Sequence, residues 1–149
     1  MCTRRSGFTI IEMLFVVIIG AVVLGVGTRA YGRADGQRAV RNARDAMILM
    51  GSRARSEAVR TGGLSYLEVD PDDDVVEVVH AADSVMVTLD AADYGAQIVG
   101  QETALCYTSR GFALPGCRDI DADRTIAFGR GPDTARAVLM PLGQIRRVQ

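Results

Sequence analysis

At 149 residues the chain has room for one modest domain, and its 17 basic residues are all arginine, which excludes lysine-based catalysis. Its formal net charge of −1 conceals an uneven distribution. Residues 29–60 carry eight Arg against Asp35, Asp45 and Glu57, a balance of +5, whereas residues 61–149 carry seven Arg against fourteen acids, a balance of −7. Opposite signs on two parts of one chain suit head-to-tail or side-by-side packing of many copies, and equally an ordinary solvated helix beside an acidic domain.

The chain opens with Arg4 and Arg5, and from Phe8 it reads FTIIEMLFVVIIGAVVLGVGT with Glu12 as the only charge. At about 1.5 Å per residue, Phe8 to Thr28 makes roughly 30 Å of helix, the thickness of a bilayer core. The two arginines place the N-terminus in the cytoplasm and everything after Arg29 across the membrane. A secretory signal peptide shares the basic start, but Glu12 falls inside the apolar region and no small-x-small cleavage site precedes a polar mature start. A plain single-pass anchor leaves the acid unexplained, since an unpaired carboxylate in lipid costs at least about 2.5 kcal/mol.

From Arg29 to about Arg60 the apolar residues Val40, Ala43, Met47, Met50 and Ala54 recur at spacings of three and four, with Arg38, Arg41, Arg44, Arg53, Arg55 and Arg60 largely outside that stripe. The spacing predicts one long helix, closed by Gly62-Gly63. Gly20, Gly25, Gly27, Gly32 and Gly36 each weaken a helix by roughly 1 kcal/mol relative to alanine. They predict a bend or local melting, with close helix packing in a membrane as the alternative.

Beyond Gly63 the period changes to two, first in Leu64–Val69 and then in Val75–Val79, and the acidic Asp70-Pro71-Asp72-Asp73-Asp74 between them reads as a hairpin turn. Ser84–Leu89, Thr103–Thr108, Thr125–Phe128, Ala135–Met140 and Gln144–Val148 are further strands. The expected fold is α+β: a long N-terminal helix packed on a small antiparallel β head, in two sheets.

The string Gly7-Phe8-Thr9-Ile10-Ile11-Glu12, set between a basic start and an apolar run, resembles the leader junction of type IV pilins and type II secretion pseudopilins. The resemblance implies that a prepilin peptidase cuts after Gly7 and that the new terminal Phe8 is N-methylated. It further implies that Glu12 of one subunit pairs with the free amino group of Phe8 in its neighbour, neutralising a charge otherwise stranded in an apolar bundle. The domains would then be a removed leader at 1–7, a transmembrane helix at 8–28, its periplasmic continuation at 29–62 and a β-rich head at 63–149. Within this family, Ala54–Gly62, Leu105–Gly111 and Val138–Gly143 resemble the H-type minor pseudopilins of type II secretion and the T-type fimbrial minor pilins.

Cys2 would leave with the leader, so Cys106 and Cys117 remain as an even pair outside the cytoplasm, flanking a ten-residue loop with Gly111, Pro115 and Gly116. A disulfide between them is expected. Asp70, Asp72, Asp73 and Asp74 could crowd oxygens around calcium, but they lack the glycine and distant glutamate of an EF-hand, and a solvated turn is the simpler reading. His80 is the only histidine and has no nucleophile or ligand spacing beside it, so neither enzymatic activity nor a metal or cofactor is expected.

Arg146 and Arg147 invite a DNA-contact hypothesis, because in the T-type relatives a Gly-Arg-x-Arg ending contacts DNA through phosphate pairing. Here Gln144 follows Gly143, which departs from that pattern. The expected role is a structural subunit of a type II secretion pseudopilus, anchored in the bacterial inner membrane with its head in the periplasm. Its partners would be the prepilin peptidase and other pseudopilins or pilins, with no small-molecule substrate. The alternative is a minor type IV pilin that binds DNA or a surface at a pilus tip.

Overall fold

The computed structural model describes residues 9–80, 84–115, 117 and 120–148, and the backbone alone of residues 26–31 and 33. It opens with one helix, α1 (Ile10–Thr61). Thr9 caps it: its Oγ1 accepts the Glu12 amide at 3.4 Å and its carbonyl accepts the amides of Glu12 and Met13. Thr9-x-x-Glu12 has the spacing of a capping box, and the acid lies in the first turn, where the helix dipole favours negative charge. The helix runs without a break through all five glycines, so the local melting expected there is absent. Glycine raises the entropic cost of a helix but keeps its amide, so the hydrogen-bond ladder continues where proline would interrupt it. The chain leaves the helix at Gly62, with φ +69°, as expected.

Two compact units divide the chain between Asp35 and Gly36. In the first, the described side chains leave the helix bare on every side: Ile10 is 89% exposed, Phe15 59% and Leu24 70%. Among the described residues no helix is long and apolar enough to cross a membrane. Phe8 and the side chains just beyond Gly25 lie outside those residues, and what remains of the apolar run is shorter than the roughly 20 residues a bilayer core requires.

In the second unit, α1 carries the stripe read from the sequence. Val40, Ala43, Met47, Met50 and Ala54 are all at most 3% exposed, and Ala58 extends the row. Against it pack two four-stranded antiparallel sheets. The first joins β1 (Ser65–Asp70), β2 (Val75–His80), β3 (Ser84–Asp90) and β5 (Thr103–Tyr107) in the order β3-β2-β1-β5. The second joins β4 (Gln97–Val99), β6 (Arg124–Arg130), β7 (Asp133–Leu139) and β8 (Ile145–Val148) in the order β4-β6-β7-β8. Alternation sets the inner faces: Leu67 and Val69 of β1 and Ile126 and Phe128 of β6 are fully buried. Burying each such side chain contributes roughly 1.5–3 kcal/mol, which fixes strand register because a one-residue slip would turn the whole set to solvent.

Strand β4 and the 3-10 turn Ala91–Tyr94 before it were not expected. Asp74 ties them to the first hairpin: its carbonyl accepts the Ala91 amide at 2.9 Å and its Oδ1 accepts the Ile98 amide at 2.5 Å. Gly51 permits a close approach from the other side, because a β-carbon there would collide with Ile145 Cδ1 of β8.

Candidate functional site

Gly7 and Phe8 lie outside the described residues. Glu12 is exposed in the first turn of α1, the one acid on a bare apolar rod between Ile11, 65% exposed, and Phe15. A carboxylate so placed can accept a cation only from outside its own helix surface, because no basic side chain stands among the described residues of that stretch.

The three segments singled out in the head converge at one corner around Tyr107. Its ring is buried, and its hydroxyl donates to the carbonyl of Gly143, in the turn between β7 and β8, at 3.1 Å. Arg55 of α1 and Gly143 line a small cavity of about 100 Å³ with Tyr107. Burial pushes the phenol up to about 12, with the Arg55 charge pulling weakly the other way. Gly143 has φ +80°, and a β-carbon on it would stand 2.7 Å from Ala113 Cβ. One tyrosine therefore ties the first sheet to the β7–β8 turn of the second, beside α1.

Cys106 and Cys117 form the expected disulfide, with Cα atoms 6.1 Å apart. Cys106 is fully buried although it sits on the outward side of β5, because the loop it anchors folds back over it: Leu114 donates its amide to the Cys106 carbonyl at 2.9 Å. This bond closes one corner of the head and leaves no free thiol at either position.

The remaining candidates have structural occupations. Asp70 Oδ1 accepts the amides of Asp72 and Asp73 at 2.9 and 3.3 Å, which builds the hairpin turn, while Asp74 holds β4. Among the described residues no group of three or more His, Cys, Asp or Glu could hold a metal ion. His80 lies opposite Ser65 in the β1–β2 ladder, but the Ser65 hydroxyl donates to the Val79 carbonyl at 3.2 Å, and His80 Nε2 is buried without a hydrogen-bond partner. That pair is not assembled for nucleophilic attack.

Arg147, on the candidate DNA motif, reaches across to α1 and pairs with Asp45 at 3.2 Å, beside Arg44 at 3.0 Å from the same carboxylate. Arg146 faces outward on β8. The outer face of the first sheet is acidic: Glu68 stands opposite Glu77 in register, and with Asp70, Asp73 and Glu102 they line a cleft of about 380 Å³. The sequence did not reveal this cleft, because Glu102 is far along the chain from the hairpin that carries the other four carboxylates.

Residues 2–28 match the prokaryotic N-terminal methylation motif. No curated protein matches the chain. Among solved structures, the type IV minor pilin FimU of Pseudomonas aeruginosa PAO1 superposes with a TM-score of 0.54 at 18% identity, over 74% of this chain and 88% of FimU. A second crystal form of FimU gives 0.53 at 19% identity, over 73% and 92%. The minor pseudopilin EpsH of the type 2 secretion system of Vibrio cholerae gives 0.53 at 14% identity, over 73% of this chain and 95% of EpsH. The fold is therefore type IV pilin-like, an α+β arrangement of one long helix on two antiparallel sheets. Within that class, the chain has the head architecture of minor pilins and minor pseudopilins and carries the methylation motif at its N-terminus.

Proposed function

We propose that the chain is a minor pseudopilin, a structural subunit of the periplasmic pseudopilus of a type II secretion system. The observation that carries this reading is the N-terminal methylation motif over residues 2–28, joined to a pilin-like helix and head. On this reading prepilin peptidase removes residues 1–7 after Gly7 and Phe8 becomes the N-methylated terminus. Residues 8–28 hold the precursor in the inner membrane, and Glu12 receives the Phe8 amino group of a neighbouring subunit during assembly. The exposed apolar helix of the first unit supports such a setting, since a rod bare on all sides must be covered by lipid or by other rods.

A minor type IV pilin is the second reading, favoured by the likeness to FimU. Its DNA-capturing form is the less supported one, for two reasons. Arg147 is engaged by Asp45, and the acidic cleft of the first sheet would repel a phosphate backbone. Deletion of the gene in its host separates the readings: the pseudopilus role predicts loss of protein export with pilus-dependent motility and DNA uptake intact. The reverse pattern would establish the pilus role.

A further inference from the structure

The two sheets of the head carry opposite charge. Strands β1, β2, β3 and β5 hold four acids, Glu68, Asp70, Glu77 and Asp90, and no arginine, a balance of −4. Strands β4, β6, β7 and β8 hold five arginines and one acid, Asp133, a balance of +4. The acidic stretch read along the chain therefore divides again once it folds.

Alternation decides which of these charges reach the surface. In the second sheet Ile98, Ile126, Phe128, Ala137 and Leu139 face the core, so the residues between them face out. Register sets Val99, Ala127, Arg136 and Val148 in one row across all four strands, with Thr125, Val138 and Arg146 in the next. Val99 is 61% exposed and Val148 38%, and a β-carbon on Gly129 of the same face would meet nothing within 4 Å. Asp133 lines a hollow with Arg41 and Arg136, but it belongs to the inner side of β7 and points to α1, where a β-carbon on Gly36 would collide with it. Asp123, just before β6, lies four residues along the strand from the row of Arg136, about 13 Å. Neither Arg136 nor Arg146 makes an ion pair among the described residues.

The first sheet presents the complement. Its outer cleft of about 380 Å³ has room for a guanidinium and is lined by five carboxylates and no base. Glu77 stands in the ladder opposite Glu68, which concentrates the charge. We propose that the outer face of the second sheet docks on this cleft in a second copy of the chain. Arg136 and Arg146 enter beside Glu77 and Glu102, and Val99 and Val148 exclude water around them. The chain itself supplies both surfaces, whereas like face on like face would repel. Because the two faces differ, the contact is heterologous: each copy keeps one unused face, so copies add in a row and do not close as a two-fold pair. The contact goes beyond the filament reading and stands without it.

A photoreactive benzophenone side chain at Val99 tests it in cells that make the complete chain, with the same probe at Val59 of α1, 54% exposed, as the control. Expected is a covalent dimer of the chain, mapped from Val99 to residues 66–77 or 102–104, with little from Val59. Arg136→Glu with Arg146→Glu should lower its yield roughly tenfold at a near-native melting temperature, and so should Glu77→Arg with Glu102→Arg in a separate chain. Making the two reversed chains together, with the probe in the second, should restore the dimer, because that chain keeps the basic face and its partner keeps the acidic one. A variant that had merely misfolded could not be rescued in this way. The proposal is overturned if Val99 gives no dimer, or one that maps outside the cleft. A yield unmoved by either reversal, a mixture that stays low, or a Val99 product with a different protein in place of the dimer overturns it as well.

Discussion

Tyr107 shows how one side chain can decide both a fold corner and its response to pH. The folded chain keeps the phenol protonated to about 12, because burial penalises the phenolate, whereas an unfolded chain releases that proton near 10. The neutral form is thus the one that folding favours. Its contribution, on the order of 2–3 kcal/mol, is intact below about pH 10 and is lost as pH rises to about 12. Melting curves between pH 8 and 12 should show this fall in the native chain and a flatter profile in Tyr107→Phe, which also loses about 1 kcal/mol at neutral pH with its hydrogen bond to Gly143. Gly143→Ala should cost more, about 2–3 kcal/mol in denaturant unfolding, because the backbone is left-handed there and Ala113 stands in the way. None of this was legible beforehand. The chain ran through Leu105–Gly111 and Val138–Gly143 as two separate segments, and the bond between them spans 36 residues of sequence. By contrast, Thr9-x-x-Glu12 was open to reading as a capping box from its spacing alone, independently of any role for the acid in assembly.

Among the elements, legibility followed the length of the repeating pattern. The helical stripe from Val40 to Ala54 repeats over several turns and every member is buried, because a long amphipathic face has a single way to meet a core. The strands of the two main hairpins were likewise marked by alternation and turn residues. β4 left no such mark: it has one buried residue, Ile98, and is held by Asp74 from a distant turn rather than by its own pattern. The Cys106–Cys117 pair was recognisable from its spacing and an expected oxidising compartment, and the bond holds down the loop that covers β5. Replacing both cysteines with serine should lower stability by about 3 kcal/mol in the loop-entropy account and lower the melting temperature accordingly. A change under about 0.5 kcal/mol by chemical denaturation would show that the loop is held by its backbone hydrogen bonds instead.

At the scale of the whole molecule, two compact units answer to two tasks. The second unit, from Gly36 on, has its own core, whereas in the first unit Ile10 to Leu24 of α1 leave their large apolar side chains exposed. Such a division suits a subunit that is threaded into an apolar bundle while its head faces water. The charge imbalance seen in the sequence survives folding in altered form. Acids gather on the outer face of the first sheet, while Asp45 and Glu57 of α1 are already engaged by arginines. The intact mass of the chain from membranes and from sheared filaments, in the native form and in Gly7→Val and Glu12→Ala, tests the filament account most directly. The native chain should begin at Phe8, carry one added methyl group and appear in filaments; Gly7→Val should remain uncut in the membrane; Glu12→Ala should be cut but missing from filaments. A native chain beginning near Thr28, as an ordinary signal peptidase would leave it, would contradict the account.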